Sequence, residues 1–117
     1  MKDCFEDIHV LLINKMYIDV INLVFDEKLN RINKPYDIDL NHAWYIVGDI
    51  FFKTQKYDSA ISCFKKALIF SQNDMEAMCA LANCYSEQFQ PKKSASILRK
   101  ALNIGSPQRF LRQRAIG

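Results

Sequence analysis

Glycine and proline are scarce in this 117-residue sequence, at three each, which excludes a loop-rich β-protein, a collagen-like chain and a flexible linker. No CxxC pair occurs among the four cysteines, Cys4, Cys63, Cys79 and Cys84. Cys79 and Cys84 stand five positions apart, about 140° around a helix, so they cannot share one metal ion without unwinding it. His9 and His42 are distant from both in sequence. Reduced thiols, no metal and no cofactor are therefore expected.

Long apolar runs are missing too. Ile8-His9-Val10-Leu11-Leu12-Ile13 follows Asp3, Glu6 and Asp7 rather than a basic region, and it is far short of the roughly 20 residues that span a bilayer. The expectation is a soluble, cytoplasmic protein with no membrane span. Catalytic signatures are absent as well: the sequence contains no G-x-S-x-G, glycine-rich phosphate loop or H-E-x-x-H. Glu6 and His9 sit three apart, which on a helix makes an ordinary surface pair. No catalytic residue is assigned, and the chain is not expected to be an enzyme.

Acidic residues are missing from the last quarter. All 13 Asp and Glu lie at or before Glu87, against nine Lys and Arg there, leaving residues 1–87 at −4. Residues 88–117 carry +7 through Lys92, Lys93, Arg99, Lys100, Arg109, Arg112 and Arg114. This basic end could meet nucleic acid or an acidic protein surface. The acidic remainder of the chain repels a polyanion, so nucleic acid is the less favoured partner.

What the sequence does contain is an apolar half, enough for one ordinary domain with a core, and an internal echo. Sliding the segment from residue 41 forward by 34 places Trp44 on Met78, Val47 on Leu81, Gly48 on Ala82 and Phe51 on Tyr85. The same shift places Ala60 on Ser94, Phe64 on Leu98 and Ala67 on Ala101. Trp44, Val47 and Phe51 form one stripe of a helix, and Ala60, Ile61, Phe64, Ala67 and Leu68 form a second after the polar break Thr54-Gln55-Lys56. Small Gly48 and Ala60 stand where two helices need close approach. Ser71-Gln72-Asn73-Asp74 is suited to turning the chain and capping the next helix.

The run Trp44-x2-Val47-Gly48-x2-Phe51 … Ala60-x3-Phe64-x2-Ala67 resembles the tetratricopeptide repeat, W-x2-L-G-x2-Y … A-x3-F-x2-A … P. Gln72 replaces its closing proline, and Pro107 comes one residue late in the second copy. The resemblance implies an all-α, right-handed superhelix of three helix-turn-helix repeats plus a C-terminal capping helix. The repeats would cover about 1–40, 41–74 and 75–108 within a single domain over 1–117.

The first repeat is degenerate. Aligning Tyr17-x2-Val20-Ile21-x2-Val24 on Tyr57-x2-Ala60-Ile61-x2-Phe64 gives an offset of 40, so about six extra residues must be housed. Lys34–Asp39, around Pro35, is the expected place. Helices are expected over roughly 2–14 and 16–32, with Ile8 and Val20 replacing the usual small residues and widening the packing. At the other end, Gly105 reads as a C-cap, and Ser106-Pro107 opens a short helix over about 107–116, with Phe110 and Leu111 covering the last hairpin.

The resemblance also implies a non-enzymatic module that binds a protein or peptide along a groove lined by the first helix of each hairpin. Carried over by position, the second unit presents His42, Tyr45, Asp49, Phe52 and Lys53, and the third Glu76, Cys79, Asn83, Ser86 and Glu87. The first would present Lys2, Phe5, His9 and Leu12. Repeats that grip the C-terminal carboxylate of heat-shock chaperones need Lys, Asn and Arg where this chain has Phe5, His9, Asp49, Cys79 and Asn83. Only Asn83 is compatible, so that clamp is not expected. The groove is mixed aromatic and acidic, suited to a partly apolar or basic segment. By size the chain resembles small secretion chaperones or adaptors built from such repeats; the competing reading is a scaffold subunit that stacks or self-associates.

Overall fold

The computed structural model describes residues 3–105. Among the described residues six α-helices form three successive hairpins: α1 (Phe5–Ile13) with α2 (Tyr17–Val24), α3 (Leu40–Lys53) with α4 (Tyr57–Phe70), and α5 (Met75–Glu87) with α6 (Pro91–Gly105). α4 packs against α5, and α2 against α3, so the hairpins stack in chain order. The expected capping helix over 107–116, with Arg109, Arg112 and Arg114, lies outside the described residues, as does Lys2.

An aspartate at the cap of α3 and α5, and one residue before that of α1, opens each first helix. Asp3 Oδ1 accepts from the Phe5 N–H at 2.9 Å, Asp39 Oδ1 from His42 N–H at 3.1 Å, and Asp74 Oδ1 from Ala77 N–H at 3.1 Å. These carboxylates satisfy donors that have no partner inside the helix. Each first helix also ends the same way. Lys15, Gln55 and Phe89 adopt left-handed backbone, with φ of 58°, 64° and 59°. The N–H of the next residue then reaches back to the carbonyl of Leu11, Phe51 or Tyr85, at 2.9, 2.8 and 2.9 Å, a Schellman closure. The three turns are spaced by 40 and 34 residues, the same offsets that align the side chains.

The repeat positions read from the sequence fill the core. Trp44, Val47, Gly48, Ala60, Phe64 and Ala67 are buried in the second hairpin, and Met78, Leu81, Ala82, Tyr85 and Ala101 in the third. Ser94, at the position of Ala60, is buried with its hydroxyl paired to that of Ser86 at 2.9 Å. Leu98 is 40 % exposed, although its counterpart Phe64 is fully buried beneath α5.

The first unit departs from expectation. Its second helix does not run to residue 32 but stops at Val24, and a short antiparallel pair follows, β1 (Phe25–Asp26) with β2 (Arg31–Ile32). Local hydrogen bonds explain the break. Asp26 Oδ1 accepts from Leu29 N–H at 3.1 Å, Asn30 turns the chain with φ 50°, and the Asn33 N–H and side-chain amide donate to the Val24 and Leu23 carbonyls at 2.7 and 3.2 Å. These bonds give the helix end an alternative to continuing. Phe25 turns into the core, edge-on to Trp44 and Phe51. The extra residues therefore sit in the 25–32 hairpin together with a 3-10 turn at Tyr36–Asp39, not in Lys34–Asp39 alone. Ile8 and Val20 are both fully buried, so the apolar surface of this unit does not come from loose packing around them.

Candidate partner-binding groove

The half-buried stripe of α3 that borders solvent follows the helical period: His42, Tyr45, Asp49 and Phe52 lie at i, i+3, i+7 and i+10. On α5 the matching stripe is Glu76, Cys79 and Asn83. The structure brings the two together. Tyr45, Asp49 and Phe52 face Glu76, Cys79 and Asn83 across a depression of about 250 Å³, floored by Phe64 and Ala80. Tyr45 stacks at a tilt on Phe64, with ring centroids 5.6 Å apart, and Phe52 meets Tyr57 edge-on at 5.5 Å. Both aromatics are thus half-buried against α4 while keeping one side open to the groove. A neighbouring, wider hollow shares Tyr45 and Glu76 and runs past His42 and Asn41 to Asp74.

Electrostatically the groove is acidic with one cation held aside. Lys53 Nζ bonds Asp49 Oδ2 at 3.0 Å, one helical turn away, and lies 5.6 Å from the centroid of the Tyr17 ring, drawing it toward the first unit. The hydrogen bond to Asp49 raises the Lys53 pKa above the usual lysine value. Burial raises the Tyr45 pKa, helped by the carboxylates of Asp49, Glu76 and Asp74, so its phenol stays protonated and able to donate. Among the described residues Glu76 makes no ion pair.

The remaining expected positions fall elsewhere. Ser86 turns its hydroxyl to Ser94 of α6, and Glu87 is exposed at the last residue of α5. Phe5 is a correction: it is 4 % exposed and packs edge-on against Tyr36 and His42, so it belongs to the core. His9 is exposed and its ring meets that of His42, while Leu12 is half-buried. Of the basic residues, Lys92, Lys93, Arg99 and Lys100 are all exposed on α6, and Lys93 lies over the Tyr85 ring at 5.5 Å. Sequence reasoning missed the floor residues Phe64 and Ala80 as part of the groove; both are small or apolar positions that read only as packing. It also missed Asn41, whose amide donates to Ala67 O at 2.9 Å and to Asp74 Oδ2 at 3.0 Å, tying the second unit to the third.

No group of three or more His, Cys, Asp or Glu suited to a metal ion occurs among the described residues, and no helix there is long and apolar enough to cross a membrane. The family model for the tetratricopeptide repeat matches residues 42–73 and 76–104, together more than half of the chain. The comparison with curated proteins gave no match. Domains of this kind are non-enzymatic modules that mediate protein–protein interaction. With two hairpins matched in sequence and a third ahead of them closed by the same turn, the chain belongs to the tetratricopeptide repeat family.

Proposed function

We propose that the chain binds a partner polypeptide along the face formed by α1, α3 and α5, and that the partner inserts a Lys or Arg flanked by apolar residues between α3 and α5. The observation that carries this reading is the depression itself. It sets two carboxylates, Asp49 and Glu76, beside two open aromatic faces, Tyr45 and Phe52. Carboxylates and ring faces both attract a cationic side chain, and the aromatics bury its apolar neighbours. The same carboxylates repel a C-terminal carboxylate or a polyanion, so the groove disfavours nucleic acid. In this role the chain acts as an adaptor or a small chaperone that shields an apolar segment of its partner. Selection from a displayed random-peptide library tests it: enrichment of Lys or Arg beside apolar residues supports the proposal, and enrichment of acidic peptides rejects it.

A second reading, a subunit that stacks on other repeats, is favoured by a different observation. Val10 occupies the register of Ile50 and Cys84, which are buried, yet it is 55 % exposed, and Ile13 beside it is more so. Stacking through this end requires self-association or a second repeat protein, and light scattering across a salt series detects the former. A monomer at every salt concentration removes the self-associating version.

A further inference from the structure

His9 and His42 are 33 residues apart in sequence, yet their Nε2 atoms are 3.2 Å apart. One projects from α1 and the other from α3, on the face that carries the groove. We propose that this pair binds one divalent first-row transition ion of the kind imidazole prefers, Zn²⁺, Ni²⁺ or Cu²⁺, through both Nε2 atoms.

The distance is the first support. Imidazole nitrogens lie about 2.0–2.1 Å from such an ion, so two of them 3.2 Å apart subtend about 100° at it, close to the tetrahedral angle. The rings are crossed at 76°, and centroids 5.4 Å apart against 3.2 Å between the nitrogens place them nearly head-on, so each ring turns by roughly 20° or more to aim its lone pair at a shared ion. Preorganisation is the second support. The His42 ring rests edge-on against Phe5, with centroids 4.7 Å apart and planes at 72°, and Phe5 is itself buried against Tyr36. The helices that carry the two donors are anchored by fully buried neighbours, Ile8 beside His9 and Ala43 beside His42. His42, held this way, loses little freedom on binding, while exposed His9 turns to meet it.

The chemistry balances without a co-reactant. In the ion-free protein one Nε2 donates a hydrogen to the lone pair of the other. When the ion binds, that hydrogen moves to Nδ1 of the same ring, both Nε2 lone pairs go to the metal, and no proton leaves the neutral pair. Among the described residues no third His, Cys, Asp or Glu completes a metal-binding group. The other coordination positions are therefore filled by water and face the groove, where a side chain of a bound polypeptide could replace one. A site with only two protein ligands follows the general affinity order of these metals, with Cu²⁺ tightest.

The experiment needs no partner polypeptide, so it succeeds or fails independently of the proposed function. The full chain, stripped with a chelator, is titrated with Zn²⁺ and separately with Ni²⁺ by calorimetry, while NMR follows the imidazole resonances. The proposal expects saturation at one equivalent, a higher Tm with the ion bound, and joint paramagnetic broadening of both histidines by Ni²⁺. His9→Gln and His42→Gln should each weaken binding about tenfold or more, at least the loss seen when only an outer-shell partner of a metal ligand is removed. Cys79→Ser should leave ion binding unchanged. Broadening of only one histidine, unaltered affinity in the His9→Gln/His42→Gln double variant, or loss of binding in Cys79→Ser would overturn it.

Discussion

A Cβ added to Gly48 would lie 2.8 Å from Cε1 and 3.0 Å from Cδ1 of Phe64. It would also meet the Cβ of Cys63 at 3.1 Å. Phe64 is fully buried and packed against Tyr45, so its ring can yield only by disturbing that contact. The crossing of α3 over α4 therefore depends on the missing side chain at Gly48.

Gly48→Ala should accordingly destabilise the chain despite improving helix propensity. The propensity gain is about 1 kcal/mol, whereas overpacking a filled core costs about 1–3 kcal/mol. Urea denaturation should show a net loss of about 1 kcal/mol. In a Phe64→Leu background the same change should cost less, because the ring that supplies the two closest atoms is gone and only the Cys63 Cβ still stands near. An equal penalty in both backgrounds would show that the ring is not the obstacle.

Asp74 serves two partners at once: Oδ1 caps α5 through Ala77 N–H, and Oδ2 accepts the Asn41 amide from the preceding hairpin. Asp39 also caps its helix, through His42 N–H. Asp74→Ala should therefore cost more than Asp39→Ala, for which about 1 kcal/mol is the usual cost of a lost cap. A double-mutant cycle with Asn41→Ala should return a coupling of about 0.5–1 kcal/mol. Zero coupling would reduce Asp74 to a cap alone.

Buried thiols should lower stability at alkaline pH. Burial pushes the Cys63 thiol up to about 12 and the Cys84 thiol up to about 11, from an ordinary 9.0. The unfolded chain therefore releases these protons at lower pH than the folded one. Their contribution is complete below about pH 9 and is lost as pH rises toward 11–12. Tm measured across that range should fall less steeply in Cys63→Ala than in the unsubstituted chain. At neutral pH a thiol reagent should modify exposed Cys79 at once and reach buried Cys63 and Cys84 only on unfolding. Parallel alkaline slopes would remove Cys63 from the explanation.

The stretch from His42 to Ile104 was legible because its information is periodic: Trp44, Val47 and Phe51, then Ala60, Phe64 and Ala67, identify the inward faces by spacing alone. The first unit was less so. Phe25 leaves the helix because Asp26 and Asn33 bond the local backbone and because a slot exists between Trp44 and Phe51, and only the first of these has any sequence signal. Phe5 matched an exposed position by register, yet the insertion places Tyr36 where the two rings pack together. The His9–His42 contact depends on how α1 sits against α3, a tertiary relationship that no spacing encodes. In the groove, Tyr45, Asp49, Phe52, Glu76, Cys79 and Asn83 came from the family resemblance carried over by position, and the structure gathers them around one depression, whereas Ser86 was drawn aside by the polar replacement at Ser94.

The central claim, that a polypeptide is held between α3 and α5 by Tyr45, Phe52 and the flanking carboxylates, is tested most directly by fluorescence anisotropy. A labelled peptide selected on the unsubstituted chain is titrated into that chain, into Tyr45→Ala/Phe52→Ala and into Asp49→Asn/Glu76→Gln, with helicity checked by circular dichroism. The account predicts that both double variants keep their helicity and bind the peptide about tenfold more weakly or worse, in line with the loss of one or more interface hot spots. Unchanged affinity in both, with helicity preserved, would contradict it.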